Sequence, residues 1–151
     1  MNEKKVYIQK VGKKRYPESA PFHPDTSYPE YPFKEIAKAV NPIYQGFRDL
    51  LILMGLDNEN LGEDTWNPLR TLISPGDSVL IKPNLVLDNF KYQDCITTHP
   101  SLIRVIIDYV IIALKGKGEI IVGDAPLQSC NYEKLIRFSG LEKTISYIES
   151  M

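Results

Sequence analysis

Between Ser78 and Gly123 the chain reads as strand, helix, strand. Ser78-Val79-Leu80-Ile81-Lys82 is a short apolar run closed by Pro83, and such a run predicts a strand buried on both faces. Pro100 to Lys115 is apolar almost all round, with Arg104 and Asp108 the main charged exceptions before Lys115. That pattern predicts a helix buried on more than one side. Pro100 suits the first helical position, which places His99 at the N-cap. Gly116 and Gly118 stop the helix, and Glu119-Ile120-Ile121-Val122-Gly123 is the next strand. Strand, helix and strand over about 45 residues form a βαβ unit, so the two strands are expected to be parallel with a right-handed crossover.

The rest of the chain is arranged around this unit. Lys5 to Val11 alternates with period two and predicts a further strand with one solvated face. Tyr16 to Pro32 carries five prolines with Tyr16, Phe22, Tyr28 and Tyr31 among them. Proline removes backbone donors, so this is neither helix nor central strand. Its aromatics suit an extended arm laid over the body, or a segment ordered by a partner. Phe33–Val40 and Pro42–Met54 predict helices broken at Asn41-Pro42, with Gly55 as the C-terminal stop. Asp57–Thr65 reads as a surface loop, Trp66–Ile73 as one or two helical turns, and Asp88–Asp94 as a polar loop. Tyr132–Phe138 and Leu141–Ile148 predict short helices divided by Ser139-Gly140. The fold class is α/β, a partly parallel sheet with a βαβ crossover. Residues 1–74 hold the first strand, the arm and helices, and 75–151 hold the βαβ core.

Three strands make a thin sheet, and the apolar helix needs a cover. The expectation is therefore the N-terminal portion of a larger domain. The cover would be a remaining C-terminal portion, a second copy in a homo-oligomer, or a protein partner.

Composition excludes several classes. A formal net charge of -1 removes the bulk electrostatic case for nucleic acid. Cys95 and Cys130 are the only cysteines and form no C-x-x-C pair, so zinc and iron–sulfur sites lack ligands. Two free thiols fit a reducing compartment. The longest apolar run, Val105 to Leu114, is interrupted by Asp108 and falls short of the roughly 20 residues of a membrane span. No signal peptide is visible. A cytoplasmic location is the expectation.

Chemistry concentrates in three patches, Ile81 to Val86, Thr97 to Ser101 and Ile120 to Pro126. The carboxyl ends of strands in an open α/β sheet form its ligand crevice. Lys82 would neutralise an anion as a point charge, and Asn84 would donate to an oxyanion. Asp124 would hold a metal or act as a base; its bland alternative is capping a turn. His99 would be an acid, a base or a metal ligand; its bland alternative is capping the helix. Thr97, Thr98 and Ser101, with the helix-start amides, would hold an anion, or simply cap. The candidate catalytic residues are His99 and Asp124, and both are candidates for a divalent metal. The candidate ligand-binding residues are Lys82, Asn84, Thr97, Thr98 and Ser101.

The ordered patches Pro75 to Val86, Thr97 to Arg104 and Ile120 to Pro126 resemble the domain of unknown function 362 family. The arm and first helices are similar to the front extension of members associated with surface-polysaccharide gene clusters. The resemblance implies a longer domain, and many members also carry a ferredoxin-like iron–sulfur segment for which this chain has no cysteines. Two readings follow. One is an enzyme-like domain binding an anionic or metal-bound small ligand. The other is a non-catalytic accessory module in polysaccharide assembly, using the arm and the apolar helix as contact surfaces.

Overall fold

Asn41 starts the first helix, α1 (Pro42–Leu53), by accepting the Tyr44 amide on its side-chain oxygen at 3.2 Å. Its Nδ2 donates to the carbonyls of Phe22 and His23, so one cap residue also ties down the proline arm. The structure, a computed structural model, describes residues 4–12, 15–88 and 96–151. Beyond α1 lies the first strand, β1 (Ser78–Ile81), followed by α2 (Pro100–Leu114) and β2 (Glu119–Val122). The chain continues through α3 (Tyr132–Ser139) and α4 (Leu141–Glu149).

The strands pair in parallel, with Ser78 opposite Glu119 and Ile81 opposite Val122. The βαβ unit is therefore present as its pattern predicts. Gly118, at φ +117°, lets the chain enter β2 hard against β1: a Cβ there would lie 2.4 Å from the Asp77 carbonyl oxygen. His99 is the N-cap of α2, and Lys115 closes that helix in the left-handed conformation.

Helix α2 is the centre of the molecule. One side packs Ile103, Ile107, Val110 and Leu114 against Ile81, Leu85, Leu135 and Leu141 from the sheet, α3 and α4. The other side packs Val105 and Tyr109 against Tyr44 and Leu51 of α1, the arm residues Tyr28 and Tyr31, and Trp66. The cover expected from elsewhere is thus supplied within the chain, by the arm and α1. Its polar residues are equally enclosed. Arg104 and Asp108 are both 0% exposed and paired at 2.8 Å. Arg104 also donates to the Pro21 carbonyl and the Tyr31 hydroxyl, and Tyr44 donates to Asp108 at 3.0 Å. Beside this pair, Glu30 of the arm receives Arg48 and the Tyr109 hydroxyl. The arm is fastened by charge as well as by its rings.

Several expectations are corrected. Lys5–Val11 is not a strand: its described residues pair with nothing, and Val6 and Ile8 are 84% and 80% exposed. Alternation makes a strand only where a neighbour accepts its hydrogen bonds. Among the described residues the sheet has two strands. Phe33–Val40 is not a helix. It is eight residues closed by prolines on both sides, too short to sustain a helix without a packed face. The Ala37 amide instead donates to the Pro24 carbonyl at 2.8 Å. Nor are the strands buried on both faces, since the facing pair Leu80 and Ile121 is exposed. Residues 57–65 include a 3-10 turn, Asn58–Asn60, and Trp66–Ile73 forms hydrogen-bonded turns. Cys130 is a free thiol; Cys95 and most of the Asp88–Asp94 loop lie outside the described residues. No helix among the described residues is long and apolar enough to cross a membrane.

Candidate functional site

Parallel strands in register deliver whatever follows them to the same edge. Lys82 follows Ile81, and Asp124 comes two residues after Val122. Across that edge the Lys82 ammonium donates to Asp124 Oδ1 at 2.5 Å. Asp124 Oδ2 accepts the Leu85 backbone amide at 2.7 Å. The carboxylate thus fixes both the lysine and the turn through Pro83. The Leu85 amide first, and then Lys82, hold the Asp124 carboxyl down at about 2.

The second patch is laced to the first. Leu85 bridges Thr97 in antiparallel fashion. The Thr98 amide donates to the Asn84 carbonyl at 2.7 Å, and Thr98 Oγ1 accepts the Asn84 amide at 3.0 Å. The third joins through the Leu127 amide, which donates to the Val86 carbonyl. Lys82 and Asn84 keep exposed side chains, whereas Thr97 is buried. Among the described residues Thr97 Oγ1 meets no hydrogen-bond partner. A buried hydroxyl without a partner is uncommon, and this one lies between the helix start and the Lys82 turn.

His99 is used differently from Lys82. Its Nδ1 accepts the Ser101 amide at 3.3 Å and lies 2.9 Å from the Ser101 hydroxyl. An amide can only donate, so the neutral ring carries its proton on Nε2. Acid–base chemistry at His99 would have to pass through Nε2. The ring is stacked on Tyr16 at 4.3 Å and met edge-on by Phe22. Ser101 is fully buried, with its hydroxyl committed to His99. The structure therefore brings Lys82, the Asn84 backbone, Thr97, Thr98 and Asp124 together, and turns His99 and Ser101 into the helix cap beneath the arm. The residues missed by sequence reasoning are the Leu85 amide, which has no side-chain signature, and Tyr16 and Phe22. The aromatic spacing of the arm signals that it packs, but not where.

The donor set does not suit a metal. Both Asp124 oxygens are engaged by N–H donors, and no three His, Cys, Asp or Glu side chains group together among the described residues.

The comparison with family models matches residues 79–148 to a domain of unknown function, DUF362. The matched stretch runs from β1 to the end of α4 and contains Lys82, Asn84, His99 and Asp124; the arm, α1 and Trp66 lie ahead of it. No curated protein and no solved structure matches the chain.

The geometry yields a direct test. Because the Leu85 amide is the largest cause of the low Asp124 pKa, Lys82→Met should leave that carboxyl still below the ordinary 3.8. Carbon-detected NMR titration of the Asp124 side chain reads this. Recovery of an ordinary value in the variant would show that the lysine, not the backbone, organises the turn. The depressed pKa also fixes a sign. Asp124 contributes stability at pH values above about 4, and that contribution is lost as pH falls through about 2.

Proposed function

We propose that the DUF362 segment is an enzyme-like α/β domain that binds a small anionic ligand at the carboxyl ends of β1 and β2. Lys82 is the anchoring cation, Asp124 holds it and the Lys82–Leu85 turn in place, and the exposed Asn84 side chain supplies a further polar contact. The observation that carries this reading is the convergence of Lys82 and Asp124 on adjacent parallel strand ends, where α/β sheets carry their ligand crevice. The start of α2 beside them adds the positive end of a helix dipole. A metal-bound ligand is the weaker form, because Asp124 already accepts two donors.

Service as an accessory module in polysaccharide assembly is the setting suggested by the arm's resemblance. Most of the surfaces that role would use are occupied within the chain. Phe22, Tyr28 and Tyr31 are buried, as is most of α2.

The test is calorimetric titration of small carboxylates and phosphates into the full chain and into Lys82→Met. Loss of one charge-assisted contact should weaken binding by about tenfold or more. The melting temperature should hold, because the Lys82 side chain is 62% exposed. A ligand bound equally well by Lys82→Met would remove the lysine, and with it this reading.

A further inference from the structure

We infer that residues 4–10 of one copy of this chain add as a strand to the outer edge of β2 in a second copy. Parallel pairing uses only half of the β2 backbone. The Glu119 amide donates to the Asp77 carbonyl and the Gly123 amide to the Ile81 carbonyl, so the odd-numbered residues face β1. The amides and carbonyls of Ile120 and Val122 face the other way, and among the described residues no third strand takes them. Such an edge is a template for another strand. One of its side-chain faces is also uncovered, with Ile121 46% exposed beside Leu80 at 64%. The chain carries a segment of the matching kind. In extended form Lys4-Lys5-Val6-Tyr7-Ile8-Gln9-Lys10 puts Lys4, Val6, Ile8 and Lys10 on one side and Lys5, Tyr7 and Gln9 on the other. It is exposed along its length and belongs to no ladder among the described residues.

Side chains select the register. With Tyr7 antiparallel to Val122, Gln9 meets Ile120, and the hydrogen-bonded pairs fall on the two β2 residues that face outward. Ile8 then lies against Ile121 and Lys10 against Glu119, at the positions where cross-strand side chains come closest. The exposed Glu119 carboxylate accepts the Ser78 hydroxyl at a long 3.4 Å and is well placed for an ammonium. A slip of one residue would turn Ile8 and Lys10 away from both partners. Val122 borders a cavity of about 240 Å³ with Ile136 of α3 and Glu142, Ile145 and Ser146 of α4, and Tyr7 opposite Val122 is delivered to its mouth. The donor is a second copy because the segment cannot reach its own β2. Val11 is seated on α1: its Cγ2 lies 2.6 Å from where a Cβ on Gly46 would be. Helix α1 packs on the side of α2 that faces away from the sheet. One residue spans at most about 3.6 Å, and packed helices lie about 8–10 Å apart. Lys10, next to Val11, therefore cannot cross α2 to the Glu119 of its own chain. Reciprocal donation between two copies closes the exchange as a dimer.

Sedimentation velocity of the full chain over a range of concentrations tests this, together with isotope-filtered NOE spectra of a one-to-one mixture of labelled and unlabelled protein. A dimer is expected, with NOEs between Ile8 of one copy and Ile121 of the other and slow amide exchange at Tyr7 and Gln9. Ile8→Lys, at a position 80% exposed, should raise the dimer Kd by about tenfold or more without changing the amide dispersion of the chain. Lys10→Glu and Glu119→Lys should each raise it by about threefold, and the two together should restore it. All three positions are exposed, so the variants report on association and not on folding. A chain that stays monomeric at NMR concentrations, a dimer indifferent to Ile8→Lys, Ile8–Ile121 NOEs arising within one copy, or a double charge variant that fails to recover would overturn the proposal.

Discussion

Arg104→Met is expected to lower the stability of the chain by about 3–5 kcal/mol at neutral pH, the usual cost of breaking one side of a buried ion pair. Arg104 and Asp108 have no exposed surface. Removing the guanidinium leaves Asp108 with the Tyr44 hydroxyl and deprives the Pro21 carbonyl and Tyr31 hydroxyl of their donor. It also strips a cation from the faces of Phe33 and Tyr147. Burial already pushes the Asp108 carboxyl up to about 6, against the pull of Arg104 and Tyr44. A carboxyl whose folded pKa lies above its unfolded value favours the folded state most at low pH. That contribution is lost as pH rises from about 4 through about 6. Without Arg104 the folded value rises further, so the variant should recover part of its loss between pH 7 and pH 5. Urea unfolding at the two pH values measures this. Arg104→Met/Asp108→Leu should restore much of the loss, because it removes the stranded charge. A single variant within about 1 kcal/mol of the parent would mean that the arm is not fastened through this pair.

The i,i+4 spacing of Arg104 and Asp108 is visible in the sequence as two charges in an apolar helix. Their partners are not, because Pro21, Tyr31 and Tyr44 lie 64 to 83 residues away. The same limit runs through the whole reading. The βαβ unit is legible because its signals are local: a short apolar run, Pro100 with His99 before it, and glycines at the helix end. Parallel pairing then carries Lys82 and Asp124 to one edge without further information. The orientation of His99 depends on Tyr16 and Phe22, and nothing in the arm's proline spacing says which helix start it will cross. Lys5–Val11 and Phe33–Val40 fail for the complementary reason. Their patterns are locally adequate, but a strand needs a neighbour and a short helix needs a packed face.

Residues 75–151 alone, although they contain the whole DUF362 match, are expected not to fold cooperatively. Val105 and Tyr109 of α2 are 0% and 1% exposed, and their neighbours Tyr28, Tyr31, Tyr44, Leu51 and Trp66 all precede residue 75. Cutting there returns that apolar surface to water at about 25 cal/mol per Å². It also opens Arg104 and Asp108, which keep each other but lose the arm and Tyr44. The sheet offers no compensation, since two short strands with Leu80 and Ile121 exposed are marginal on their own. The fragment should show poor amide dispersion and no sharp thermal transition, while residues 1–151 melt as one unit. A separately prepared 1–74 peptide, added in excess, should restore dispersion if the missing cover is the cause. A fragment that melts as sharply as the full chain would place the structural centre in the sheet and α4, and would reduce the arm to an attachment on a domain complete without it.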